Sequence, residues 1–327
     1  MRLYPLTFHP LFKERVWGGR NLATLFHKDL PAGAVIGESW EITDRPEGVS
    51  AIDQGPLIGK DLRWLMTHHG ADLLGRPVSE GERFPWLIKL LDCNDDLSLQ
   101  VHPPASKAAE LKGEPKTEMW YFADCRKGSK IYVGLKSGVT REDFVRRIAD
   151  GTVADCFHVH EPKPGDAMFV PSGRVHALGG GNVVFEIQQN SDTTYRVFDW
   201  NRVGLDGKPR ELHIEPSLAS IDFDDLEPTL VGTPDCTQSY GASRCLVEDP
   251  LFQIDEMVAS RGGSLPDGRT AGSPGVIGVV RGGLTVHCGD QCVRVTAGRF
   301  VLLPACLHSV ELIADPSTTI LRVGTHS

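Results

Sequence analysis

The chain is expected to be mainly β: two jelly-roll β-barrel units, with a few helices in the N-terminal part. Three observations lead there. Glycine (35) and proline (22) recur along all 327 residues, which favours short strands and frequent turns over long helical repeats. From about residue 150 to 203, strand-like segments and turns follow one another almost without interruption. Finally, Gly165–His176 resembles Gly298–His308: a glycine, five residues, a proline, and a histidine four or five residues later. Two related β units are the simplest source of such a repeat.

The elements follow in order. Trp40 and Ile42 alternate with Glu41 and Thr43, the period of a strand. Leu62, Leu65, Met66 and Leu73 fall near helical spacing, Gly75 stops that helix, and His68 and His69 stand near its C-terminal end. Phe84–Asp92 is an apolar run of strand length, and Leu97–Val101 is a second strand, broken by Pro103 and Pro104. Residues 106–114 read as a short helix, Met119–Ala123 and Lys130–Gly134 as strands, and 141–150 as a helix. The polar, turn-rich stretch 223–243 reads as a linker, dividing the chain into a catalytic unit, 1–230, and a smaller C-terminal unit, 231–327.

Composition narrows the function. A hydrophobic content of 40% is ample for a core, and a net charge of −9 argues against nucleic acid as a partner. A small anion remains open, because a few local Arg or Lys side chains can hold one phosphate. No stretch of 18 apolar residues occurs and the start lacks a signal-peptide pattern, so a membrane partner is not expected. The eight cysteines form no Cys-x-x-Cys pair and read as buried thiols in a reducing cytoplasm. The chain is expected to act as a monomer or homodimer.

Four candidate metal ligands stand out: Gln100, His102, Glu118 and His176. Gln100 and His102 are two apart on a strand, which places both on one face. Glu118 begins the next strand, and His176 follows a Pro-x-Gly-x-x-His turn. Two imidazoles, a carboxylate and an amide oxygen suit a divalent cation such as Zn2+. A lone histidine is more often structural, so the spacing carries this reading. His158 and His160 also form a pair, but no carboxylate follows them at matching spacing, and a surface strand explains them better.

The spacing from Gly165 through Pro171 and Gly173 to His176 matches the second cupin motif, with His102 and Glu118 supplying the first over a longer interval. Three further segments, Leu97–Pro103 (LSLQVHP), Pro115–Trp120 (PKTEMW) and Asn190–Trp200 (NSDTTYRVFDW), resemble the signatures of type I mannose-6-phosphate isomerases. Val16–Gly19 and Gly37–Glu41 resemble the short bacterial branch of that family. The matches run in family order from about residue 9 to 203, and the final third resembles a degenerate cupin.

The resemblance implies interconversion of mannose 6-phosphate and fructose 6-phosphate with one zinc per chain. It implies His102, Glu118 and His176 as metal ligands, with Gln100 as the fourth, and Arg196 as the active-site arginine. It also places Lys116, Glu186, Asp192 and Trp17 along the substrate pocket. Aldose–ketose interconversion needs a base between C1 and C2, for which Glu186 and Lys116 both qualify. Without the resemblance, Arg196 equally suits an ion pair with Asp192 or Asp199, and Lys116, in a loop, suits a solvated side chain. Two other readings compete: a cupin dioxygenase, which would prefer a histidine where Gln100 stands, and a non-catalytic sugar-binding cupin, which would have no need of Arg196 or Glu186.

Overall fold

The computed structural model describes residues 2–232 and 236–325; residues 233–235, inside the expected linker, lie outside it. Four antiparallel sheets of four to six strands dominate the chain. The first has six strands in the order Leu11–Gly19, Ile36–Ile42, Trp86–Cys93, Asn182–Gln189, Glu118–Cys125, Ala167–Val170. The second has five: Tyr195–Phe198, Leu99–Val101, His176–Leu178, Ile131–Leu135 and Phe157–His160. Leu91, Trp120, Phe122 and Val184 of the first sheet pack against Ile131, Val133 and Leu178 of the second. The two sheets face each other without a shared ladder, so this unit is a sandwich rather than a closed barrel.

Strands from Cys236 to Gly324 build the other two sheets. The internal repeat has a structural counterpart. Ala167–Val170 and Phe300–Leu303, each following its glycine turn, both form the last strand of a six-stranded sheet. Phe185 and Tyr121, on the outer face of the first sheet, share one core with Phe252, Ile254, Phe300 and Leu302. The first sheet is therefore buried on both faces, and its strands show no in–out alternation of burial. Ile36–Ile42 is an example: every residue is buried, and its polar members are paired. Glu41 accepts from Lys28 at 2.6 Å and from Ser39 at 2.5 Å.

The helix over Leu62–Leu74 is capped by Asp61, which accepts from the Trp64 amide at 2.7 Å. It ends at Gly75, whose φ of 72° suits glycine, and a Cβ there would lie 1.7 Å from the Gly272 carbonyl oxygen. His69 leaves helical geometry in mid-course, so the histidine pair marks a kink with another turn beyond it. Arg141–Ala149 is helical, as expected, and the short helix after Pro104 spans Ala105–Ala108. Helices over Asn21–Phe26 and Ile214–Ser220 were not expected.

Candidate metal centre and active-site cavity

Strand register assembles the site. Gln100 stands opposite both Arg196 and His176, so these three residues form a row across adjacent strands of the second sheet. In the first sheet, Glu186 stands opposite Lys89 on one side and Trp120 on the other. His102 follows the Gln100 strand directly, its carbonyl accepting from the Gly173 amide at 2.9 Å. Gly173 has φ 95° and turns the chain between Pro171 and His176.

His102, Glu118 and His176 converge from the two sheets, with ligand atoms all within 4.8 Å of one another. They are the one group of this kind among the described residues. His102 Nε2 is 3.6 Å from one Glu118 oxygen, and His176 Nε2 is 3.4 Å from the other. The Nδ1–H of His102 donates to the Thr193 carbonyl at 2.8 Å, and that of His176 to the Arg174 carbonyl at 2.9 Å. These outer bonds fix the tautomer, so both Nε2 lone pairs point into the cluster.

Burial, then the neighbouring Lys116 charge, lowers the His102 pKa to about 3, and burial lowers that of His176. Both imidazoles are thus neutral near pH 7. Burial alone would raise the Glu118 pKa, but the Lys116 ammonium outweighs it and holds the carboxyl well below its ordinary range. Neither Glu118 oxygen accepts an aligned hydrogen bond, although both are buried. Two neutral imidazoles and an ionised carboxylate that accepts no aligned hydrogen bond fit a divalent cation.

Gln100 and Lys116 close the cluster off from a cavity of about 570 Å³, whose walls they join while the triad lies beneath. Gln100 Nε2 donates to His176 Nε2 at 3.2 Å, and its oxygen accepts from Ser98 at 3.3 Å. As a metal ligand it must therefore turn its amide over. Lys116, which its loop position alone would leave solvated, is only 4% exposed, as a residue of the site should be. Its Nζ lies 2.7 Å from Glu118 Oε2 and 3.3 Å from His102 Nε2.

Trp17, Glu186, Asp192 and Arg196 also line the cavity. Glu186 accepts from Trp120 Nε1 at 3.2 Å and lies 3.3 Å from Lys89 Nζ, and burial raises its pKa. Asp192 pairs loosely with Lys89 at 3.8 Å. Arg196 joins neither Asp192 nor Asp199. Its Nη1 donates to the Glu211 carbonyl at 2.7 Å, while its buried Nε has no partner.

Lys89, Glu38, Arg15 and Arg210 line the same cavity and were not anticipated. Lys89 had a visible signal, a lone cation inside the apolar run WLIKLL. In the fold it is 3% exposed among Glu186, Glu38 and Asp192, which together raise its pKa against the effect of burial. Lys89 and Arg15 in turn hold Glu38 at a pKa of about 2, although burial opposes them.

The chain resembles known proteins in both sequence and fold. The family model described as phosphomannose isomerase type I, catalytic domain, matches residues 6–129. The chain is 34% identical to a mannose-6-phosphate isomerase of Streptococcus mutans over 313 residues, 95% of this chain and 96% of that one. It is 42% identical to the mannose-6-phosphate isomerase ManA of Bacillus subtilis over 224 residues, 68% of this chain and 69% of that one. The crystal structure of the mannose 6-phosphate isomerase from Bacillus subtilis superposes with a TM-score of 0.88 at 29% identity, covering 98% of this chain and 99% of that one. With the sequence matched over nearly its whole length and the fold reproduced, the chain belongs to the type I phosphomannose isomerase family.

Proposed function

We propose that the protein interconverts mannose 6-phosphate and fructose 6-phosphate, with residues 1–230 as the catalytic unit and 231–327 as a degenerate companion. The observation that carries this reading is the His102–Glu118–His176 cluster, its lone pairs converging beneath a cavity lined by acids and cations. The three residues would hold a divalent metal, with Gln100 as a fourth ligand, and a donor set of two imidazole nitrogens and two oxygens suits Zn2+. When bound, such an ion supplies a Lewis acid for the sugar oxygens at C1 and C2.

The chain's own residues supply the rest. Glu186 takes the proton from C2 of the open-chain aldose and returns it to C1, while a hydroxyl proton passes from O2 to O1. Nothing is oxidised or reduced outside the sugar. Glu186 suits this task because burial has raised its proton affinity toward that of a useful base. Lys116 is the weaker candidate, because its ammonium is engaged by Glu118. Arg196, without a carboxylate of its own, donates to the oxygen on which negative charge develops. Trp17 and Asp192 contact the sugar from the walls. The eight free thiols suit a cytoplasmic location, and no helix among the described residues is long and apolar enough to cross a membrane.

The test is a coupled assay of mannose 6-phosphate conversion before and after chelation, with metal add-back. Activity lost to the chelator and restored by Zn2+ supports both reaction and metal. A metal-loaded protein inert on this substrate overturns the reading.

A further inference from the structure

The C-terminal unit meets the catalytic one through a buried polar cluster that takes no part in the sugar chemistry. Arg244 and Glu256 stand opposite each other on the adjacent strands Gly241–Asp249 and Phe252–Ala259. Arg244 Nε donates to Glu256 Oε2, so the two charges cancel within the C-terminal unit. The other carboxylate oxygen accepts from the Tyr121 hydroxyl at 2.6 Å, and Arg244 Nη2 donates to the Gly165 carbonyl. Tyr121, Glu256 and Arg244 are all buried. Burial first, and the Glu256 carboxylate second, raise the Tyr121 pKa, so its hydroxyl stays a donor near pH 7.

Both groups that the pair holds lie on segments leading to the metal centre. Tyr121 belongs to the strand Glu118–Cys125, and alternation puts it on the face opposite Glu118. Ala167–Val170 pairs with that strand, Ala167 opposite Tyr121 and Val170 opposite Glu118, and the chain then turns through Pro171 and Gly173 to His176. Gly165 opens this arm: its amide donates to the Phe122 carbonyl at 2.8 Å, and its own carbonyl is the one Arg244 holds. The cluster therefore grips one end of two paired segments whose other ends are Glu118 and the turn to His176. Around it the interface is apolar, with Phe185, Ile254, Phe300 and Leu302 in one core. Apolar burial is non-directional, whereas hydrogen bonds to a buried ion pair admit one register. Replacing such a pair by apolar residues is often neutral, so stability alone does not account for it.

We infer that Glu256 and Arg244 are positioning residues for the metal centre: by holding Tyr121 and the Gly165 carbonyl, they fix the segments that carry Glu118 and His176 relative to each other. The C-terminal unit is then a working part of the centre, although none of the four proposed ligands comes from it. The inference rests on the reading of His102, Glu118 and His176 as metal ligands.

The test measures the Zn2+ affinity of the full chain by competition with a fluorescent chelator, at a temperature where wild type and variants are folded. Tyr121→Phe removes one hydroxyl, and Glu256→Gln keeps the shape of the side chain and loses its charge. Trp86→Phe is the control: Trp86 Nε1 donates to the Leu251 carbonyl at 3.1 Å across the same interface, from a strand that carries no metal ligand. Zn2+ affinity is expected to fall roughly 3–30-fold in Tyr121→Phe and Glu256→Gln, the range for residues that couple to a site without touching its ligand. In Trp86→Phe it should match wild type, whatever the melting temperature does. At saturating Zn2+, kcat of Tyr121→Phe should return close to the wild-type value. If Glu256→Gln does not fold, Tyr121→Phe decides. Unchanged Zn2+ affinity in Tyr121→Phe, or an equal loss in Trp86→Phe, overturns the inference, makes the cluster a support of the fold alone, and leaves the metal reading standing. A wild type that binds no Zn2+ overturns the metal reading, and the inference with it.

Discussion

Lys116 Nζ lies 2.7 Å from Glu118 Oε2, both side chains at or below 5% exposure, so an ammonium occupies the side of the carboxylate that a metal ion would claim. The metal-free cluster is therefore charge-compensated from within. Replacing Lys116 by Met leaves Glu118 buried without its cation, a change of the kind that costs about 3–5 kcal/mol. The loss should be large in the metal-free protein and much smaller with Zn2+ bound, since the ion supplies the missing charge. Urea unfolding of wild type and Lys116→Met, each with and without Zn2+, measures this. Equal destabilisation in both states would refute it.

Gln100 touches His176 through its amide nitrogen, so its contribution to metal binding depends on turning over. Gln100→Ala should retain the triad and bind Zn2+ about 10–100-fold more weakly, the range seen when partners around a metal centre are removed. Competition with a fluorescent chelator gives the number. Unchanged affinity would leave Gln100 a wall of the cavity and no more.

His102 gives the metal-free protein a specific pH dependence. Burial first, and the Lys116 charge second, bring its pKa from 6.5 to about 3 in the fold. Between those values the unfolded chain binds a proton that the folded chain refuses, so stability rises with pH across that window and is lost as pH falls through it. His102→Gln removes this contribution. The slope of unfolding free energy against pH between about 6 and 4 should become shallower by up to one proton. An unaltered slope would show that His102 does not titrate in this way.

Much of the site is legible in the sequence because it is local. Gln100 and His102 lie two apart, and the glycine–proline–glycine turn delivers His176 to its strand. The internal repeat is legible for the same reason, each copy being one turn and one edge strand. What escapes is set by distant partners. Lys116 reads as a loop lysine because nothing near it says that His102, from the other sheet, will close over it and Glu118. Glu186 reads equally as solvent-facing, since alternation alone cannot say that both faces of its sheet are covered. Arg210 gives no signal either: its place depends on a reversal at Trp200 and Asn201, neither of them a glycine. Arg196 is the instructive case. Asp192 and Asp199 are both close in sequence, yet Asp192 turns toward Lys89, and Asp199 is taken by Arg202 and Arg210.

That partition of carboxylates leads to a prediction for Arg196 itself. Its Nε is buried without a partner, and its Nη1 is held by the Glu211 carbonyl, so it is placed but not neutralised. Such a donor is worth most when negative charge appears on a nearby oxygen, and it contributes little to holding the metal, which lies beyond Gln100. Arg196→Ala should lower kcat about 10²–10³-fold, as loss of one donor to a developing oxyanion does in other enzymes. Zinc content should stay at the wild-type level. Metal analysis and steady-state kinetics on the same preparation separate the alternatives. Lost zinc would make Arg196 a support of the centre, and undiminished kcat would remove it from the mechanism.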